Sequence, residues 1–106
     1  MATFTLHDLE KRIADRAQAN ATTSYTKRLL DGGIEHCAKK FGEEAIETAL
    51  AAVSQDRSRL TAETADLLYH LLVLLRARGI PLAEVEGLLA ERTAQSGLAE
   101  KASRAS

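Results

Sequence analysis

Residues 43–53 read EEAIETALAAV, which places carboxylates and apolar residues at the spacing of an α-helix. A second stretch at 63–75, ETADLLYHLLVLL, has acids at its start and apolar residues after them. Side chains three or four positions apart share one face of a helix, so each stretch directs its acids to one side. Like charges at that spacing repel, at a cost of about 0.2–0.5 kcal/mol per pair. The two stretches therefore predict two helices whose acidic faces need a neutralising partner.

Five carboxylates form these acidic faces: Glu43, Glu44, Glu47, Glu63 and Asp66. At about 100° per residue, the first three fall within an arc of roughly 100° on the earlier helix. On the later helix the two acids share one stripe with His70, which we expect to be a buried, hydrogen-bonded histidine. Oxygen ligands suit a hard cation, Mg²⁺ or Mn²⁺, and Mg²⁺ typically accompanies substrate phosphates. The pattern thus indicates a metal-dependent enzyme acting on phosphate, the alternative being a solvated acidic face paired with lysines.

Length and composition favour one all-α domain spanning residues 1–106. The chain has 106 residues, 45% of them hydrophobic, with two Phe, two Tyr, no Trp and one Pro. A net charge of −1 argues against a nucleic-acid binder, which normally carries a basic stripe. The longest apolar run, 67–75, is too short to span a bilayer, and the first residues do not resemble a signal peptide. A single cysteine, Cys37, fits a reducing, cytoplasmic location.

Four or five helices are expected, bounded by capping residues, glycines and the single proline. The predicted caps are Thr5 for the first helix, Ser24 for the second, and Asp56 or Ser58 for the fourth. The predicted helices begin near residues 6, 25, 34, 57 and 82 and end near residues 17, 30, 53, 78 and 92. The tail from about 95 to 106 is expected to be flexible.

Several strings together resemble a known family. EEAIE at 43–47 followed by ETAD at 63–66 resembles the metal signature of the all-α nucleoside triphosphate pyrophosphohydrolase (MazG-like) superfamily. Longer strings resemble the phosphoribosyl-ATP pyrophosphatase family within it: SYT at 24–26, the stretch 33–47, ADLLYHLLVLL at 65–75, ERT at 91–93 and QSG at 95–97. The resemblance covers nearly the whole chain from Phe4 onward.

This resemblance implies a MazG-like helical bundle that hydrolyses phosphoribosyl-ATP to phosphoribosyl-AMP and pyrophosphate, the second step of histidine biosynthesis. It implies Mg²⁺, with Mn²⁺ as an alternative, held by Glu44, Glu47, Glu63 and Asp66. Glu43 is expected to be a ligand of a second metal ion or to orient the attacking water. Four cations are candidate contacts for the substrate, each with a solvated face or a local ion pair as the alternative: Lys40, Lys27, Arg92 and Lys101.

The hydrophobic stretch Leu67–Leu75 also predicts self-association, because a helix that is apolar on nearly every side must be covered all round. A monomer of four or five helices has little surface with which to cover it. We therefore expect a homodimer that pairs the third and fourth helices of two subunits and completes the core. The family resemblance further implies active sites at or near the subunit interface.

Two other functions are consistent with the sequence. One is a house-cleaning pyrophosphohydrolase of the same superfamily, acting on dUTP or damaged nucleoside triphosphates. The metal signature allows it, whereas the family-like strings at 24–26, at 91–93 and at the C-terminus, where EKASR stands at 100–104, argue against it. The other is a non-enzymatic helical interaction module whose acids only keep it in solution. Such a module is expected to bind no divalent cation and to gain stability when Glu44 or Asp66 is neutralised.

Overall fold

Six α-helices and no strands make up residues 3–94 and 97–105, which are the residues that the computed structural model describes. In chain order the helices are α1 (Leu6–Ala17), α2 (Tyr25–Asp31), α3 (Gly33–Ser54), α4 (Arg57–Ala77), α5 (Leu82–Thr93) and α6 (Gly97–Ala105). The predicted all-α class is confirmed, and the first five helices begin and end within about one residue of their predicted bounds.

The segment predicted to be a flexible tail contains α6, a helix that the sequence analysis did not anticipate. Positions 95, 96 and 106 of that segment lie outside the described residues. Leu98, the one large apolar residue of α6, is 84% exposed, so α6 adds little to a core. Its mobility in solution stays a prediction.

The predicted N-caps form as expected and fix where three helices begin. Thr5 Oγ1 accepts a hydrogen bond from Asp8 N–H at 3.1 Å, and the Asp8 carboxylate accepts one from the backbone N–H of Thr5. Ser24 Oγ accepts from Lys27 N–H at 3.1 Å at the start of α2. Of the two candidates for α4, Asp56 is the cap. Each cap satisfies a backbone donor that the first turn of a helix leaves unpaired.

Helices α3 and α4 form an antiparallel hairpin, joined by Gln55 and Asp56. Gln55 has a φ of 64°, a left-handed conformation that ends α3 and turns the chain back. Further upstream, Gly33 has a φ of 89°, which lets α3 start with only Gly32 between it and the end of α2. The hairpin is the longest part of the fold, with 22 and 21 residues in its two helices.

The core lies at one end of this hairpin. Its buried members come from all of the first five helices: Ile13, Leu29, Cys37, Leu72, Val73 and Leu82. Helices α1 and α2 cover the second half of α4 and the beginning of α3. The acidic residues occupy the other part of the hairpin, next to this covered region, where they remain within reach of solvent.

Within the single chain, the apolar stretch of α4 is covered more completely than we expected. None of the residues from Leu67 to Leu75 is exposed, and His70, Leu72 and Val73 are buried. Exposed apolar side chains lie on other helices, including α5 with Leu88 and Leu89, and on α3 Ile46 is 64%, Leu50 54% and Val53 75% exposed. No helix in the described part of the chain is long and apolar enough to cross a membrane. Cys37 is a buried free thiol, and the cytoplasmic location stays a prediction.

Candidate metal centre

Three of the predicted ligands meet across the α3–α4 hairpin. Glu44, Glu63 and Asp66 each offer a carboxylate oxygen, and these oxygens lie within 4.8 Å of one another. Glu44 and Glu63 are partly buried, whereas Asp66 is exposed. Two oxygens bound to one Mg²⁺ at about 2.1 Å are at most about 4.2 Å apart, so a small side-chain movement brings the set onto a single ion. The donor set therefore fits a hard divalent cation.

Glu47, the fourth predicted ligand, is not one of the three convergent acids, but its charge acts on Glu63. Burial raises the pKa of Glu63 above its ordinary range, and the negative charges of Glu47, Glu44 and Asp66 raise it further in that order. Arg59 opposes the effect only weakly. The neighbouring acids thus disfavour the ionised form of Glu63. A bound cation would favour it, because its positive charge offsets this repulsion.

Glu43 occupies a different environment from the other four acids. Its Oε2 lies 3.5 Å from Lys40 Nζ, one turn earlier on α3, and its side chain is exposed. It is not among the three carboxylates that converge. The structure therefore separates Glu43 from Glu44, its neighbour in sequence, because adjacent residues on a helix point about 100° apart.

Thr48 is a site residue that the sequence analysis missed. Its hydroxyl lies 2.8 Å from the carbonyl oxygen of Glu44 on its own helix and 3.1 Å from the carbonyl oxygen of Glu63 on α4. Ala51, one turn later on the same face, is completely buried. These small residues allow the two helices to approach closely beside the acids. A lone threonine after an E-E-x-x-E string was the available signal, but threonine is common in helices without any such contact.

His70 lies one turn after Asp66 on α4 and is buried, as expected, whereas its expected hydrogen bond stays a prediction. Burial lowers the pKa of its imidazole, and Lys40 lowers it further, whereas Asp66 and Glu43 act in the opposite direction. The His70 ring is nearly perpendicular to two aromatic rings: Tyr69, with centroids 5.1 Å apart, and Tyr25, with centroids 6.1 Å apart. An aromatic group thus borders the acidic group.

Of the candidate cations, the structure brings Lys40 beside the acids through its contact with Glu43. Lys27 forms an ion pair with Asp31, one turn later on α2. Arg92 and Lys101 are exposed on α5 and α6. Substrate contacts by all four cations stay predictions.

A separate cavity of ≈ 780 Å³ lies between α1, the end of α4 and the connection at 79–81 that precedes α5. His7, Lys11, Arg76 and Pro81 are among its lining residues. None of the five acids lines it, so it is distinct from the candidate metal centre.

Comparison with known proteins finds similarity to a single family over nearly the whole chain. Residues 6–93 match the family model described as phosphoribosyl-ATP pyrophosphohydrolase. The chain is 64% identical over 104 residues to phosphoribosyl-ATP pyrophosphatase 1 of Bradyrhizobium diazoefficiens, an alignment that covers 98% of each chain. It is 62% identical to the protein of the same name from Rhodopseudomonas palustris, over 98% of this chain and 97% of that one. It is 56% identical to phosphoribosyl-ATP pyrophosphatase of Rhizobium rhizogenes, over 98% of this chain and all of that one.

Proposed function

We propose a function for this chain from its family, because it belongs to the phosphoribosyl-ATP pyrophosphohydrolase family. It hydrolyses phosphoribosyl-ATP to phosphoribosyl-AMP and pyrophosphate, the second step of histidine biosynthesis. Water adds to a phosphorus of the anhydride that joins the α and β phosphates, and the bridging P–O bond breaks. Support for this assignment comes from relatives of that name that are 56–64% identical over nearly the full length of the chain.

The single observation that supports the chemistry is the meeting of Glu44, Glu63 and Asp66 within 4.8 Å. These side chains, with Glu47 beside them, would hold Mg²⁺ or Mn²⁺. A cation held there supplies positive charge opposite the triphosphate and lowers the pKa of a water molecule. The carboxylates contribute position and charge, which is most of what phosphoryl transfer requires of a protein.

The residues around the acids have separate proposed tasks. Glu43, which is exposed beside the convergent group, either orients the attacking water or takes part in binding a second ion. Lys40 pairs with Glu43, and in this proposal its ammonium group contacts a substrate phosphate when that pair opens. The other proposed phosphate contacts are Lys27, Arg92 and Lys101.

We also propose that the active enzyme is a homodimer. Ile46, Leu50 and Val53 expose apolar side chains along one side of α3, close to the acidic residues of the same helix. Covering this surface with the same surface of a second subunit removes apolar area from water, as a two-fold interface does. The interface would then adjoin both metal centres.

Metal titration separates this enzyme from a helical interaction module. Calorimetry with Mn²⁺ is expected to show saturable binding to the wild type and a large loss of affinity in Glu63→Gln. Glu84→Gln is the matched control, since Glu84 is an exposed glutamate in the first turn of α5. A wild-type chain that binds no divalent cation would contradict the metal centre and favour the interaction module.

A further inference from the structure

Tyr25 presents an aromatic ring to solvent beside the candidate metal centre. It is the first residue of α2, and 51% of it is exposed. Its ring lies nearly parallel to that of Tyr69, at an interplanar angle of 18° with centroids 6.4 Å apart, which is an offset stack. The ring is therefore supported on one side by α4 while much of its surface stays open.

Hydrogen bonds fix the start of α2, which carries Tyr25, and the Tyr69 ring beside it. The Tyr69 hydroxyl shares a hydrogen bond of 2.6 Å with Thr26 Oγ1, and Thr26 is almost fully buried. Ser24, the cap of α2, donates a hydrogen bond of 3.0 Å to the carbonyl oxygen of Arg16 on α1. The start of α2 is thus attached to both α1 and α4, so the backbone that carries Tyr25 is fixed in position.

The aromatic group and the metal centre adjoin each other along α4. Tyr69 and His70 follow Asp66 by three and four positions, which places them about one helical turn, roughly 5.4 Å, along the axis. The rings of His70 and Tyr25 are nearly perpendicular, at 85°, with centroids 6.1 Å apart. The open ring of Tyr25 therefore neighbours His70, which follows the acid Asp66 by about one helical turn.

We propose that Tyr25 stacks on the purine base of the nucleotide substrate while its phosphates lie at the cation that the acids would hold. This inference rests on the proposed function, because it assigns a binding position to the base of that substrate. A supported aromatic ring loses little conformational freedom when a base stacks on it, and such stacking gives binding energy without reading hydrogen bonds. If Tyr25 only covers Tyr69 and His70, its removal leaves nucleotide binding unchanged.

Steady-state kinetics with three variants tests this position. Tyr25→Ala is expected to raise the KM for phosphoribosyl-ATP about 10-fold with kcat nearly unchanged, whereas Tyr25→Phe, which keeps the ring, retains the wild-type KM. Phe4→Ala is the control for loss of an exposed ring, since Phe4 is 53% exposed and packs over Arg12 instead. An unchanged KM in Tyr25→Ala overturns the proposal, and so does an equal rise in Tyr25→Phe.

Tyrosine fluorescence tests the same contact without turnover. The chain has two tyrosines and no tryptophan, so the emission of Tyr25 is the part of the wild-type signal that Tyr25→Phe lacks. AMP with Mg²⁺ is expected to quench that emission saturably, whereas ribose 5-phosphate, which lacks a base, is expected to have no such effect. Absence of saturable quenching by AMP overturns the proposal.

The two experiments also distinguish failure of this inference from failure of the proposed function. A wild type that hydrolyses phosphoribosyl-ATP, with no effect of Tyr25→Ala, contradicts the stacking position alone. A wild type that does not hydrolyse phosphoribosyl-ATP contradicts the proposed function, and the AMP titration then still decides whether Tyr25 binds a purine.

Discussion

The hydroxyl of Thr48 lies 3.1 Å from the carbonyl oxygen of Glu63 on the facing helix, beside the metal centre. The same hydroxyl is 2.8 Å from the carbonyl of Glu44, so its single proton is shared between the backbones that carry two of the convergent acids. Thr48 therefore sets the separation of α3 and α4 at the level where the carboxylates meet.

Replacing Thr48 by Val tests this positioning. The variant keeps the side-chain shape and removes the hydroxyl, so it is expected to lower the free energy of unfolding by about 1 kcal/mol and to weaken Mn²⁺ binding. Urea denaturation and metal titration measure the two effects. Thr61→Val is the control, because its hydroxyl donates only within α4, to the carbonyl of Arg57. Equal effects of the two variants on metal affinity would show that Thr48 does not position the acids.

Removal of one acid is expected to raise the stability of the metal-free protein. In the presence of metal it is expected to lower stability relative to the wild type. Glu63→Gln relieves the repulsion from Glu47, Glu44 and Asp66, so its metal-free Tm is expected to exceed that of the wild type. A ligand that binds only the folded state stabilises it by about 2.7 kcal/mol at 100 times its Kd. Mg²⁺ should therefore raise the Tm of the wild type but not of Glu63→Gln. Thermal melts that shift equally in Mg²⁺ would contradict this assignment.

The raised pKa of Glu63 also predicts a pH dependence. Its ordinary pKa of 4.5 applies to the unfolded chain, and the folded value is higher. As pH rises from 4.5 towards the folded pKa, the unfolded state loses its proton first, so the metal-free folded state becomes less stable. Above the folded pKa this loss is complete and constant. Metal affinity is expected to increase over the same pH range, because binding requires the carboxylate to be ionised.

Denaturation of wild type and Glu63→Gln at several pH values isolates this contribution, since His70 and the other groups titrate in both proteins. The difference in the free energy of unfolding between the two proteins should change across the acidic range and level off above it. A difference that is independent of pH would mean that Glu63 has an ordinary pKa.

Self-association through α3 is expected to depend on the exposed apolar residues of that helix. Sedimentation of the wild type at micromolar concentration should show a dimer, and Val53→Lys should shift it towards monomer by placing a charge in the interface. Leu98→Lys is the control, because Leu98 is even more exposed but lies on α6. A folded wild-type monomer at that concentration would rule out the dimer.

The sequence predicted the helices well because local signals determine their ends. Thr5, Ser24 and Asp56 each form the side-chain cap that their position suggested. Helix α6 was missed because its segment has one large apolar residue, Leu98, and no cap that stood out.

The site was predictable at the level of residue type and less so in its geometry. Helical spacing grouped Glu63 with Asp66, but it could not tell Glu44, which converges with them, from Glu43, which pairs with Lys40. That distinction depends on the register of the α3–α4 hairpin, which the left-handed turn at Gln55 sets. Contacts between helices, such as that of Thr48, depend on the same register and leave no periodic signal in the sequence.

The most direct test of the central claim is pyrophosphate release from phosphoribosyl-ATP in the presence of Mg²⁺, with ATP and dUTP assayed in parallel. We expect fast release from phosphoribosyl-ATP alone, and loss of that activity in Glu44→Gln. Release from ATP or dUTP but not from phosphoribosyl-ATP would contradict the histidine-pathway assignment and indicate a house-cleaning enzyme. Release from none of the three would contradict an enzymatic role for the acidic group.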